Sequence, residues 1–235
     1  MLQLLLYMEK ILVVVAHPDD EIIGVGGTLR KHIKQGDGVE VLILGDGKTS
    51  DKNKYKPIGD EIKKSSVSET TEALNCLGII KFYREYLPDN RFDTVALLDI
   101  TKIVSGYIEK IKPTIIYTHH CGDLNIDHQL TAEAVIIATR PIEYLNLKEL
   151  RMFETLSSTE MAGARFTHTF NPNLYINIEN ELEEKLKAMG CYKSELRDFP
   201  HPRSIRAIKY NAHVWGAKNN QIAVEPFYLF RKNVK

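Results

Sequence analysis

The sequence is poor in cysteine, and its few cysteines are poorly placed for the common structural uses of a thiol. There are three, an odd number, at Cys76, Cys121 and Cys191. They are widely spaced and form no Cys-x-x-Cys pair, which argues against a disulfide framework and against a zinc site built from thiolates. We therefore expect a protein of the reducing cytoplasm.

An excess of charge of either sign is also lacking. The chain has 31 basic and 31 acidic residues, so it carries no electrostatic footprint for nucleic acid or for an anionic membrane. No stretch approaches the roughly 20 consecutive apolar residues that a membrane span requires. We expect neither a nucleic-acid partner nor a membrane span, and the substrate should be a small neutral or weakly charged molecule.

A secretion signal is not indicated at the N-terminus. The first ten residues, MLQLLLYMEK, include a short apolar patch, but no basic segment precedes it and no small-residue cleavage site follows it. Glu9 and Lys10 end the patch before the first clear strand. This segment is better explained as an additional strand or a packing arm.

The elements alternate in a way that predicts an α/β fold. Predicted strands lie at 11–15, 39–47, 79–86 and 114–120, and predicted helices lie at 24–36, 60–77, 94–111 and 129–139. Such alternation implies parallel strands joined by right-handed crossovers. We expect a Rossmann-like, mainly parallel sheet with helices on both faces, in one domain covering residues 1–235.

Beyond residue 140 the alternation loosens. Predicted strands lie at 149–156, 174–178 and 224–231, and amphipathic helices are predicted at 179–196 and 202–217. With 235 residues, 43% of them hydrophobic, the chain is long enough for a single sizeable core. We therefore expect this part to be a C-terminal α+β extension of the same domain.

The chain is organised around residues 11–27, and above all around the motif AHPDDE at 16–21. A buried, β-branched run ends there in a histidine, a proline and three acids. Ligands of open α/β sheets bind beyond the carboxyl ends of the strands, and Pro18 fixes a turn at that point. The first candidates for chemistry are therefore His17, Asp19 and Asp20.

A second polar loop, CGDLNIDH at 121–128, follows the predicted strand at 114–120. Asp127 is placed to cap the next helix, which would put His128 in its first turn, facing the crevice. Strand alternation sends His119 and His120 to opposite faces, so at most one of them is expected to reach the site.

Two imidazoles and one carboxylate, from His17, Asp20 and His128, would form a metal site with an open position, as catalytic zinc requires. Asp19 would remain free to act as a base. The same residues would also suit a simple turn before a capped helix, and residue chemistry alone does not separate these two interpretations.

Other residues are better explained structurally. GVGG at 24–27 resembles part of a dinucleotide fingerprint, but Leu29 takes the place of the third glycine and the preceding loop is acidic, so helix packing is the better explanation. Charged residues near predicted turns, including Glu160, Arg203 and Arg206, are expected to be solvated or structural.

The chain resembles the LmbE-like or PIG-L-type family of zinc-dependent N-deacetylases. The resemblance is carried by AHPDDE after a hydrophobic strand, by GVGG opening a helix, and by TIIYTHHCGDLNIDH from Thr114 to His128. Further blocks resemble bacterial sugar-deacetylase members: LPDNRFDTV at 87–95, SSTE at 157–160, KAMGCYKSE at 187–195, PHPRS at 200–204 and VEPF at 224–227.

The resemblance implies specific roles. His17, Asp20 and His128 would bind one zinc ion per chain, with Fe²⁺ or another divalent metal left open, and Asp19 would be the general base. Many members carry a histidine where this chain has Asn125, whose amide can donate to a developing oxyanion but cannot transfer a proton. We group Asn125 and Asp127 with Asp19 as catalytic residues. By the same resemblance, Arg91 and Asp93 would bind the substrate.

The resulting hypothesis is a hydrolase that removes the acetyl group from an N-acetylated sugar or sugar conjugate. Polar turns at 46–59 and 87–93 would form the rim of its site. Two alternatives remain: an iron oxygenase with a two-His-one-carboxylate site, which would need a jelly roll, and an inactive binding protein, which only Asn125 favours. Association of copies into a homo-oligomer is left open.

Overall fold

The computed structural model describes residues 8–45, 47, 60–141, 146–163 and 168–234. The predicted N-terminal arm, apart from its last three residues, and the predicted rim at 46–59, apart from Gly47, lie outside the described residues. No helix in the described part of the chain is long and apolar enough to cross a membrane.

Seven strands and six α-helices are described. The strands are β1 (Lys10–Val15), β2 (Gly38–Gly45), β3 (Lys81–Leu87), β4 (Ile115–His119), β5 (Glu149–Phe153), β6 (Leu174–Asn177) and β7 (Val224–Lys232). The helices are α1 (Asp20–Gln35), α2 (Asp60–Leu77), α3 (Leu97–Ile111), α4 (Ile126–Ala138), α5 (Leu182–Met189) and α6 (Ile205–Lys218), and a 3₁₀ turn spans Phe92–Thr94.

The strands form one sheet in the order β3-β2-β1-β4-β5-β7-β6. Strands β1 to β5 are parallel, whereas β7 runs antiparallel between β5 and β6. The predicted α/β fold is therefore confirmed. The C-terminal extension contributes its two strands to the same sheet, so the chain forms a single α/β domain.

Helices cover both faces of the sheet because β1 is apolar on both sides. Ile11, Val13 and Val15 point into a core shared with α1, α2, α5 and α6. Leu12 and Val14 point into a second core, shared with α3 and α4. All five side chains are fully buried, which explains the continuous hydrophobic run in the sequence.

Helix α1 begins at Asp20, four residues earlier than predicted, and ends as predicted before Gly36, which has a φ of 86°. Its glycines pack closely against other elements. A Cβ atom at Gly24 would lie 2.1 Å from a ring carbon of Phe153, and one at Gly27 would lie 2.9 Å from Ile178. The helix-packing interpretation of GVGG is therefore confirmed.

A buried ion pair is inserted into the hydrogen-bond ladder of α1. In a regular helix the amide of Gly27 would donate to the carbonyl of Ile23. Here that amide and the amide of Thr28 donate to the carboxylate of Glu225, at 2.9 and 2.7 Å. The Lys185 ammonium group donates to the Ile23 carbonyl at 2.8 Å and to Glu225 at 2.6 Å. Helix α5 and strand β7 thus complete α1.

The predicted helix at 179–196 is too long, because α5 ends at Met189. The turns that follow Gly190 bring the Tyr192 hydroxyl group to the carboxylate of Glu21, to which it donates. The three cysteines are free thiols, as the sequence predicts, although the sulfur atoms of Cys76 and Cys191 lie only 3.8 Å apart.

Candidate metal centre

The candidate site lies at the carboxyl ends of β1 and β4. The strand order changes direction between these two neighbouring strands, and such a switch point is where open α/β sheets bind ligands. His17 lies two residues after the end of β1, and His119 ends β4. The two polar clusters therefore follow strands that are neighbours in the sheet.

Three side-chain atoms from separate elements converge at this edge. The Nδ1 atom of His17 lies 3.5 Å from Oδ2 of Asp20, and Nε2 of His128 lies 3.4 Å from the same oxygen. The two nitrogen atoms are 3.3 Å apart. At metal–ligand distances of about 2.0–2.2 Å, the corners of a tetrahedron are about 3.3–3.6 Å apart. The triangle therefore has the dimensions of three zinc ligands.

Asp127 supports His17 from the opposite side of the ring. Its Oδ2 atom lies 2.9 Å from Nε2 of His17, and its carboxylate accepts the backbone amides of Asn90 at 2.6 Å and Phe92 at 2.9 Å. Since a carboxylate accepts, Nε2 of His17 carries the proton and donates. The lone pair of Nδ1 is then directed towards Asp20 and His128, which is the tautomer that metal binding requires.

The prediction that Asp127 caps helix α4 is wrong. The N-cap is Asn125, whose Oδ1 atom accepts the amide of Asp127 at 2.8 Å, while its Nδ2 atom donates to Asn90 at 3.1 Å. Asn and Asp are both common N-cap residues, because their side chains accept a backbone amide near the start of the helix. Asn125 and Asp127 are both of this type. The Asp127 carboxylate is left to hold His17.

Asp123 lies beside the second ring nitrogen of His128, as Asp127 lies beside the second ring nitrogen of His17. Its Oδ1 atom lies 3.2 Å from Nδ1 of His128, off the line of a good hydrogen bond, so the attraction is mainly electrostatic. The carboxylate also accepts the hydroxyl groups of Ser158 and Thr159 and the amide of Asn125. The sequence analysis missed Asp123, although its place in the loop before His128 was a usable signal.

The electrostatics of the cluster favour a cation. Burial alone would lower the pKa of His128, but Asp20 and Asp123 raise it to about 9. Burial likewise opposes the effect of Asp127, Asp20 and Asp89, which together raise the pKa of His17 well above its ordinary value. A divalent metal ion would supply the positive charge that these imidazoles otherwise gain as protons.

His119 and His120 do point in different directions. The His119 ring stacks on His128 with centroids 4.0 Å apart, its Nε2 atom accepts the amide of Ala16 at 3.0 Å, and burial lowers its pKa to about 3. His119 is therefore a neutral packing partner of His128. The His120 ring instead contacts Phe170 and Tyr228, away from the cluster.

Asp19 is buried beside the three candidate ligands in a strained conformation. Its φ of 102° is in a region that L-residues rarely adopt, at a cost of about 1–3 kcal/mol. The Glu21 carboxylate accepts its amide at 3.2 Å. Burial raises the pKa of Asp19 well above its usual range, and the guanidinium group of Arg203, 3.5 Å away, opposes this shift. The sequence analysis had assigned Arg203 no role at the site.

Arg91 and Asp93 flank Phe92 in the 3₁₀ turn that Asp127 holds through the Phe92 amide. Both side chains are exposed, so the turn places them at the outer margin of the cluster. Their assignment to substrate binding, like that of Asn125 to the oxyanion, stays a prediction.

Two curated relatives are similar to most of the chain. The diacetylchitobiose deacetylase of Thermococcus kodakarensis is 25% identical over 201 residues, which cover 80% of this chain and 70% of that protein. A probable N-acetyl-alpha-D-glucosaminyl L-malate deacetylase of Bacillus cereus is 26% identical over 197 residues, which cover 80% and 84%.

A solved structure with the same fold shows that the fold alone does not fix a reaction. GalB, the 4-carboxy-2-hydroxymuconate hydratase of Pseudomonas putida, superposes with a TM-score of 0.75 at 20% identity, over 97% of this chain and 98% of that chain. The model of the PIG-L family, described as GlcNAc-PI de-N-acetylase, matches residues 12–139. That match covers more than half of the chain and includes both polar motifs, so the chain belongs to the PIG-L family.

Proposed function

We propose that this protein is a metal-dependent hydrolase that removes the N-acetyl group from an N-acetylated sugar or sugar conjugate. The triangle of His17, Asp20 and His128, with a buried carboxyl at Asp19 beside it, is the observation that carries the proposal. The names of the two curated relatives, both deacetylases of acetylated sugars or their conjugates, support the same reaction.

The metal we propose is zinc, one ion per chain, held by His17, Asp20 and His128. When bound, it would acidify a water molecule and polarise the acetamide carbonyl. The Asp127 carboxylate would hold His17 in the orientation and tautomer that binding needs, and the Asp123 carboxylate, 3.2 Å from Nδ1 of His128, would favour a proton on that nitrogen. Iron(II) also binds imidazole and carboxylate ligands, so metal analysis of the purified protein would identify the ion.

Asp19 would act as general base and then as general acid. Burial makes its carboxylate a stronger base than an exposed one, because the charged form is poorly solvated. It would take the proton of the attacking water and return it to the leaving nitrogen, and the guanidinium group of Arg203, 3.5 Å away, opposes the rise in its pKa. The Asn125 amide would donate to the developing oxyanion.

Two further parts of the proposal rest on the cysteine content and the charge balance of the chain. We propose an enzyme of the cytoplasm without a nucleic-acid partner. The oxygenase alternative loses its basis, because the chain forms an α/β sheet and not the jelly roll which that alternative requires. The inactive-protein alternative is left to experiment, because it depends only on whether Asn125 replaces the usual histidine.

The deciding experiment is acetate release from zinc-loaded protein with free, nucleotide-linked and lipid-linked N-acetylhexosamines. We expect release from at least one of them, and its loss when a chelator is added. The His128→Ala variant should bind far less than one metal ion per chain, whereas His213→Ala, a histidine remote from the cluster, should bind one. The proposal would be refuted if the protein released acetate only from acetylated peptides or O-acetyl esters. It would also be refuted if the protein hydrated a substrate double bond and released acetate from none of the sugars.

A further inference from the structure

The backbone of Asp19 is held by the side chain of Glu21. Asp19 is the N-cap of α1, and its carbonyl group accepts the amides of Ile22 at 3.0 Å and Ile23 at 2.9 Å. Its own amide donates to the Glu21 carboxylate at 3.2 Å. In a capping box such a bond is reciprocal, because the side chain of the cap accepts a helical amide in return. The Asp19 side chain makes no such bond, so its carboxylate is not used by the helix.

Glu21 is a fully buried carboxylate, and both of its oxygen atoms accept hydrogen bonds. Oε2 accepts the amide of Asp19, and Oε1 accepts the hydroxyl group of Tyr192, which is also fully buried. Neither donor is charged. A carboxylate taken out of water in this way often stabilises a fold less than an apolar side chain of similar size would. Stability therefore does not account for a carboxylate at this position, whereas the conformation of Asp19 does.

Tyr192 is fixed by the turn after α5 and by the core that it shares with α1 and α2. Its carbonyl group accepts the amide of Glu195 at 3.0 Å. The Glu195 carboxylate lies 3.5 Å from the guanidinium group of Arg203, which in turn lies 3.5 Å from the Asp19 carboxylate. This one turn thus reaches Asp19 twice, at its backbone through Glu21 and at its side chain through Arg203.

We propose that Glu21 and Tyr192 are positioning residues for the catalytic base. The Tyr192 hydroxyl group orients the Glu21 carboxylate, which holds the Asp19 amide and keeps its φ at 102°. A strained conformation of this kind persists only where the surrounding structure enforces it. Both residues act through Asp19 alone, by presenting its carboxylate beside the metal cluster. The effect on turnover rests on the proposed deacetylase function.

Tyr192→Phe tests the proposal because it removes one hydroxyl group and keeps the buried ring. We expect kcat for acetate release to fall about tenfold, because the base is misplaced. KM and the content of one metal ion per chain should not change, since the ligands and the substrate contacts remain. Tyr117→Phe is the matched control. It also removes a buried hydroxyl group, but that group meets His32 in the last turn of α1, and the variant should keep the wild-type kcat.

Two substitutions of Glu21 separate the hydrogen bond from the volume of the side chain. Glu21→Met keeps most of the volume but accepts no amide, and kcat should fall by about 10²-fold. Glu21→Gln keeps an oxygen atom for the Asp19 amide and should recover most of that loss. Equal losses in the two variants would contradict a role through the Asp19 backbone.

The deciding comparison repeats Tyr192→Phe in the Asp19→Asn background. If Tyr192 acts only through the base, its substitution should not lower the residual rate of Asp19→Asn any further. Equal fold losses in the two backgrounds, or a wild-type kcat in Tyr192→Phe alone, would overturn the inference and leave the deacetylase function standing. A wild type that releases acetate from none of the acetamido sugars would instead refute that function, and the positioning role with it.

Discussion

The Nε2 atom of His17 lies 2.9 Å from a carboxylate oxygen of Asp127, a residue 110 positions later in the chain. The same carboxylate accepts two backbone amides from the turn after β3. One buried side chain therefore ties together the ends of three strands. Its effect on the candidate centre is indirect, because it fixes which nitrogen of His17 is free to bind.

We predict that Asp127→Asn lowers zinc affinity about 10–100-fold, because an amide oxygen is a weaker acceptor for the His17 N–H group. Competition titration against a chromogenic chelator measures this effect. Activity should recover at saturating zinc, since Asp127 does not contact the reacting atoms. Unchanged affinity, or lost activity that zinc does not restore, would contradict this indirect role.

Asp19→Asn should retain one metal ion per chain and lose most turnover. The amide preserves the shape of the side chain but cannot accept a proton, and general-base contributions are typically about 10²–10⁴-fold. Metal analysis and initial rates on the same preparation separate the two effects. A wild-type rate would remove Asp19 from the mechanism.

Asn125 can be tested with two variants that divide its structural and chemical roles. Asn125→Ala should lower the free energy of unfolding by about 0.5–2 kcal/mol, because the cap of α4 is lost. Asn125→Ser keeps a good cap but removes the amide. If the amide meets the oxyanion, both variants should lose turnover by up to roughly 10²–10³-fold. Full activity of the serine variant would restrict Asn125 to capping.

A matched pair of glycine substitutions tests the packing of α1. Gly24→Ala should destabilise the fold by about 1–3 kcal/mol, because its Cβ atom would lie 2.1 Å from the buried ring of Phe153. Gly106→Ala, within α3, meets nothing within 4 Å and should raise stability by up to about 1 kcal/mol. Urea unfolding of both variants gives the comparison, and equal effects would show that α1 has room to adjust.

The sequence was most informative where local patterns have local causes. The buried run 11–15 predicted strand β1, because a strand in a sheet with helices on both faces is apolar throughout, and the polar residues after it indicated the candidate site. The sequence also pointed to His17 and Asp20 as candidate ligands, since they lie within four residues of each other after the same strand.

What the sequence could not predict were side chains whose roles depend on distant partners. Arg203 approaches Asp19 from a loop 184 positions away, and nothing in its local sequence indicates a charged partner. Asp123 and Asp127 share one short loop, and only the direction of the chain after β4 decides which imidazole each one faces. The sequence analysis assigned the cap of α4 to Asp127, whereas Asn125 is the cap and the Asp127 carboxylate is engaged by His17 and by the Phe92 amide.

The ion pair of Lys185 and Glu225 has a consequence for dissecting the chain. A fragment that ends at residue 139 would contain every proposed ligand, yet it would lack the groups that satisfy the amides of Gly27 and Thr28 and the carbonyl of Ile23. The part of the chain that carries the proposed ligands is therefore not an autonomous module. Reconstituting it from pieces would require the C-terminal piece in the same solution, acting as a complementing strand and helix.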